Sequence, residues 1–109
     1  MPTLVGWIEE EAEGEPIEGV VIGEMGWGDY GSERVSQYEE HPRGKVLSWE
    51  EAKMYLDYVF AAGYGAPGCE AVYAWTPSWV IAVSQHDGST CPFRVPRNPV
   101  DCVPIMPGG

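Results

Sequence analysis

Ser48-Trp49-Glu50-Glu51 is the stretch that most narrows the folds open to this chain. A serine followed three residues later by a glutamate is a capping box: the hydroxyl accepts from the third helical N–H while the carboxylate reaches back to the cap. Trp49, Ala52, Leu56, Val59 and Phe60 then recur at helical spacing, and the stem of Lys53 joins their face. Gly63 supplies the left-handed residue at which a helix stops. The pattern predicts one main helix over about 49–62, whose single apolar stripe needs a sheet to pack against.

The rest of the chain supplies that sheet. Ala71-Val72-Tyr73-Ala74-Trp75 and Trp79-Val80-Ile81-Ala82-Val83-Ser84 flank Thr76-Pro77-Ser78 as a tight hairpin would. Asp87-Gly88 is a strong turn signal, and Phe93-Arg94-Val95 reads as the returning strand. Toward the N-terminus, Leu4-Val5-Gly6-Trp7-Ile8 and Ile17-Glu18-Gly19-Val20-Val21-Ile22 read as two further strands. Residues 9–16 would join them as an acidic loop, too charged and too punctuated by Gly14 and Pro16 to bury itself. Strands, a helix, then consecutive antiparallel strands indicate an α+β fold: a single small domain over 1–109, with an antiparallel sheet packed against one main helix. Residues 96–109 carry Pro96, Pro99, Pro104 and Pro107 and read as a Pro-rich extended C-terminal tail. With 44% hydrophobic residues in 109, one core forms without metals or disulfides.

Charge excludes several functions. Residues 1–51 hold 13 acids against Arg34, Arg43 and Lys45, so nearly all of the formal charge of −11 lies in the first half. Such a field repels phosphate backbones and anionic lipid, which argues against direct nucleic-acid or membrane binding and for a protein partner with a basic surface. No apolar run approaches the roughly 20 residues that span a bilayer. The N-terminus lacks the basic start and long apolar centre of a signal peptide, so the reading is cytoplasmic. Cys69, Cys91 and Cys102 are odd in number and form no Cys-x-x-Cys pair, and His41 and His86 do not complete a zinc spacing. No metal and no cofactor are expected.

Gly26-Trp27-Gly28-Asp29-Tyr30-Gly31 has the letters G-x-G-x-x-G. That fingerprint works where the next helix begins at once and its amides meet a pyrophosphate. Here the expected helix starts 17 residues later, and Glu24, Asp29 and Glu33 would crowd a phosphate with like charge. The segment therefore reads as an acidic glycine loop presenting two aromatics. Ser84, His86, Asp87, Ser89 and Cys91 cluster in sequence, but turn chemistry explains them, and the chain reads as no enzyme.

Aromatic residues make up 12% of the chain, more than a core of this size needs, and Tyr55 and Tyr58 fall off the main helical stripe. The expected function is an acidic protein-binding module: Trp27, Tyr30, Tyr55 and Tyr58 anchor the partner, while Asp29, Glu9, Glu10 and Glu11 steer it. Charge mimicry of a nucleic acid, with Glu9 to Glu18 as the false backbone, is one version. A small-ligand or nucleotide-signal sequestering domain, stacking a planar group on the glycine loop, is the rival.

Three strings, Gly6-Trp7-Ile8-Glu9-Glu10-Glu11-Ala12-Glu13-Gly14-Glu15-Pro16, Val95-Pro96-Arg97-Asn98-Pro99-Val100-Asp101 and Met106-Pro107-Gly108-Gly109, resemble the small accessory proteins of actinobacterial phages. The resemblance implies a protein made in an infected bacterial cytoplasm that binds and modulates or inhibits a host protein or a defence signal. A minor virion structural component is the other role it implies. It carries no activity and no site residues.

Overall fold

Residues 4–12 form a helix, α1 (Leu4–Ala12), where their strand formers suggest a strand. The computed structural model describes residues 1–25, 42–63, 65 and 68–107. Thr3 caps α1, its Oγ1 accepting from the Gly6 N–H at 2.9 Å. Leu4, Ile8 and Ala12, four residues apart, all face the core and are at most 2% exposed. That spacing emerges only when the acidic stretch is read together with the apolar run before it. Residues 9–12 of the expected loop are thus the last turns of the helix, and Glu13 closes it in the left-handed region (φ 50°), its N–H on the Glu10 carbonyl.

Acids at a helix C-terminus oppose the helix dipole, and the last turn of α1 contains no base. Arg94 supplies one from across the molecule. Its Nη1 donates to the Glu11 carbonyl at 2.7 Å and its Nη2 pairs with Glu13 at 3.1 Å, while its guanidinium lies 4.0 Å from the Trp79 ring centre.

The sheet has five strands: β1 (Gly19–Met25), β2 (Val46–Leu47), β3 (Glu70–Trp75), β4 (Trp79–His86) and β5 (Ser89–Pro96). Every pairing is antiparallel, in the order β2-β1-β3-β4-β5. The fold is α+β, a sheet packed against helices, as the element order predicts. β1 does not pair with residues 4–8; it lies between β2 and β3. Asp87 and Gly88 both have positive φ (51° and 82°), the conformation of the tight turn expected there, and β4 and β5 pair in unbroken register from His86↔Ser89 to Trp79↔Pro96.

The capping box forms at the start of α2 (Trp49–Leu56), where the Glu51 N–H meets Ser48 Oγ at 3.2 Å. The helix ends six residues before the expected 62, and Gly63 does not have the positive φ of a helix stop. Tertiary pairing takes the chain away. Val59 bridges Thr3, and the Phe60 N–H donates to the Pro2 carbonyl at 3.1 Å, so the β-branched and aromatic residues after Leu56 gain partners that a longer helix would deny them. Both helices lie on one face of the sheet, α1 against β4 and β5 and α2 against β1. The core between the layers includes Leu4, Ile8, Val20, Ile22, Leu56, Phe60, Val72 and Ile81.

The β5 edge is closed to further strands. A two-residue turn makes His86↔Ser89 a hydrogen-bonded pair, so alternation turns the backbone of Thr90, Pro92, Arg94 and Pro96 outward. Pro92 and Pro96 have no N–H to offer, and that of Thr90 is bonded to the Ala62 carbonyl at 2.9 Å. Beyond Pro96 the described chain runs to Pro107 without strand or helix. No helix among the described residues is long and apolar enough to cross a membrane.

Candidate functional site

Of the residues expected to bind a partner, Glu9, Glu10, Glu11, Tyr55 and Tyr58 are among those the structure describes. Trp27, Asp29 and Tyr30, with the whole Gly26–Gly31 motif, lie outside the described residues. Tyr55 and Tyr58 are half-buried against the core, and the Tyr58 hydroxyl donates to Glu70 Oε1 at 2.6 Å. Glu9 and Glu10 are exposed on α1, while Glu11 turns toward Arg94.

The acidic stretch as a whole is tied down. Glu11 and Glu13 meet Arg94, Glu18 pairs with Arg97, and Arg97 also donates to the Thr76 carbonyl. Glu15 sits between: Oε1 accepts from Thr76 Oγ1 (2.7 Å) and the Ser78 N–H (3.0 Å), and Oε2 accepts from Ser78 Oγ (2.7 Å). Thr76 in turn accepts from the Trp79 N–H, so Glu15 completes the β3–β4 turn from 61 residues away. The hydroxyls of Ser78 and then Thr76 favour the charged carboxylate and hold it below its ordinary value of 4.5. A group depressed on folding stabilises the native state above its unfolded pKa, and the contribution is lost as pH falls through the folded one. Glu15→Gln is therefore expected to lower the melting temperature at neutral pH and to narrow that difference steadily below about pH 4.5, checked by thermal unfolding along a pH series. A difference that stays constant to pH 3 would assign the loss to geometry alone.

Two hollows remain. One, of about 560 Å³, runs between β5 and the tail, walled by Trp79, Phe93, Val95, Val103 and Ile105. Its charged residues, Arg94 and Glu11, already hold each other and the end of α1. The other, of about 200 Å³, lies on the sheet face away from the helices, between Val21, Gly23, Ala71, Tyr73 and Ala82.

That open face is the unusual surface of this protein. Strand alternation sends Val20, Ile22, Val72, Ala74 and Ile81 into the core, so their neighbours point the other way. β1 places Val21 and Gly23 there, β2 Val46, β3 Ala71, Tyr73 and Trp75, β4 Val80, Ala82, Ser84 and His86, and β5 Ser89, Cys91, Phe93 and Val95, so the face is apolar at its centre and uncharged but polar toward the Asp87-Gly88 turn. No strand position on this face outside the β1 bulge is Asp, Glu, Lys or Arg, in a chain of net charge −11. An antiparallel sheet with one face in water normally alternates apolar-in with polar-out. Here Tyr73 is 58% exposed, Val46 73% and Val95 39%, and the Tyr73 and Trp75 rings meet edge to face at 6.2 Å. Glu24 with Arg43 and Glu18 with Arg97 form ion pairs at opposite ends of the strands.

Sequence reading missed this face because strands apolar on both sides show no alternation to orient them. The signal that locates it is the Asp87-Gly88 turn, which fixes the β4–β5 register and so the shared face of Val80, Ala82, Phe93 and Val95. Comparison with protein-family models, curated proteins and solved structures gives no match for this chain.

Proposed function

We propose that this protein is a non-catalytic interaction module that docks onto another protein chain through the open face of its sheet, with Tyr73 and Trp75 as the central anchors. The observation that supports this is the absence of charge from a face rich in exposed apolar side chains, when acids are so plentiful elsewhere. An aromatic centre with paired charges confined to the rim is the anatomy of a protein interface. The exposed acids of the helical layer, Glu9 and Glu10 on α1 and Glu50 and Glu51 on α2, lie on the side of the sheet away from this face and do not anchor the contact. Charge mimicry draws less support, because Glu11, Glu13, Glu15 and Glu18 serve Arg94, Thr76, Ser78 and Arg97 within the fold. The resemblance to phage accessory proteins suggests that the partner is made in the same bacterial cytoplasm.

Tagged wild-type and Tyr73→Glu proteins serve as baits for both host proteins and untagged copies of this chain. The wild type is expected to retain at least one chain that Tyr73→Glu loses, with both baits equally folded by circular dichroism. Identical captures would refute the reading.

A further inference from the structure

Resting on the reading of the open face as a docking surface, we infer that its occupant is a second copy of this chain, the two sheets packing face to face into a sandwich with the helices outside. Two observations single out this occupant. The first is shape. Tyr73 stands 58% exposed beside the hollow floored by Gly23, Ala71 and Ala82, so a knob and a hole lie next to each other on one surface. A two-fold interface requires that arrangement, because a residue that enters the partner's hollow must receive the partner's equivalent in its own. The hollow, at about 200 Å³, exceeds the cavity of roughly 150 Å³ that accepts a benzene ring. It exists because Gly23 has no side chain: a Cβ there would lie 3.5 Å from that of Ala71 and begin to fill the floor.

The second is charge. An isologous contact sets the same patch against itself, residue i on residue j and j on i, so any net charge on the face would repel the equal charge of its copy. Each copy carries −11, yet the strand positions of the open face outside the β1 bulge have no carboxylate and no ammonium or guanidinium group. A partner steered by opposite charge would instead be matched by acids within the contact. Twisted sheets stack in this way about 10 Å apart and within about 30° of alignment, their facing side chains interdigitating. On the β5 edge Pro92 and Pro96 leave few outward donors, which disfavours strand addition there.

Sedimentation equilibrium of the full chain at micromolar concentrations tests the inference, with alkylation of Cys91, which lies on the same face, as a local readout in a Cys102→Ser background. The expected mass is twice 12.0 kDa. Tyr73→Glu, which sets two carboxylates into the contact, is expected to weaken the dimer at least about a hundredfold and to speed Cys91 alkylation, with an unchanged circular dichroism spectrum. Gly23→Val, which fills the hollow while leaving the knob, is expected to weaken the dimer as well. A wild type that sediments at 12.0 kDa throughout, or a dimer that survives Tyr73→Glu, overturns the inference. The two failures separate cleanly. A monomer whose capture of some other protein is lost in Tyr73→Glu rejects the second copy and keeps the docking face, whereas a capture unaffected by that change rejects both.

Discussion

Phe60→Ala is expected to destabilise the protein by about 3–5 kcal/mol, the range for removing a fully buried aromatic whose cavity only partly collapses. Phe60 is 2% exposed and stands edge to face on Trp7 of α1, ring centres 5.2 Å apart and planes at 85°. Its backbone N–H holds the Pro2 carbonyl, so the same residue ties the segment after α2 to the N-terminal turn. Removing the ring opens a void between the two helices and the sheet while leaving that hydrogen bond in place. A domain of this size has about 5–15 kcal/mol in total, so the variant would sit close to its unfolding transition. Urea unfolding followed by Trp fluorescence measures the loss, and Trp7 would report greater exposure. Phe60→Leu, a smaller truncation, should cost less than Phe60→Ala. If Phe60→Ala costs under about 1 kcal/mol, the site collapses around the deletion and Phe60 is no keystone.

The same residue marks how far the fold could be read from the chain. Local signals were legible: Ser48 with Glu51 opens α2, and Asp87-Gly88 turns β4 into β5, because each is made by residues in contact along the sequence. What failed was decided at long range. Leu4-Val5-Gly6-Trp7-Ile8 has the composition of a strand, and only the burial of Ala12 with Leu4 and Ile8 makes it a helix. Residues 57–62 have helical spacing, but Val59 and Phe60 bond to Thr3 and Pro2 instead. The acidic stretch looked solvated because its partners, Thr76, Ser78, Arg94 and Arg97, lie more than 60 residues further on.

The candidate surface was half legible for a related reason. Tyr73, Trp75 and Val80 read as strand residues, yet over 71–75 and 79–83 both parities of β3 and β4 are apolar, so nothing local there distinguishes the face under the helices from the face away from them. The helices decide it, and their docking is a tertiary fact. Tyr55 and Tyr58 were singled out for lying off the α2 stripe, but the helix ends before Tyr58, and that side chain turns in toward β3.

Tyr58 accordingly carries the other large expected effect. Glu70 begins β3 on its core side and is 2% exposed; Oε1 accepts from the Tyr58 hydroxyl at 2.6 Å, and Oε2 is buried without a hydrogen-bond partner. A buried carboxyl group with one oxygen already unsatisfied depends heavily on the bond it does make. Tyr58→Phe deletes that donor while keeping the ring, and is expected to cost about 3 kcal/mol, far above the roughly 1 kcal/mol of an ordinary hydrogen bond, because both Glu70 oxygens are then stranded. Glu70→Met removes the polar group itself and leaves the Tyr58 hydroxyl to reorient, so it should cost less than Tyr58→Phe. The double variant is expected to be as stable as the wild type or more so, since an apolar pair replaces a carboxyl group that was never fully paired. A double-mutant cycle in urea unfolding would then give a coupling energy of at least about 3 kcal/mol. Additive single losses would contradict this account, because they would mean that Glu70 is satisfied by something other than Tyr58. The cycle also separates stability from docking: Glu70 and Tyr58 lie beneath the helical layer, so these variants should leave contacts made through Tyr73 on the opposite face unchanged.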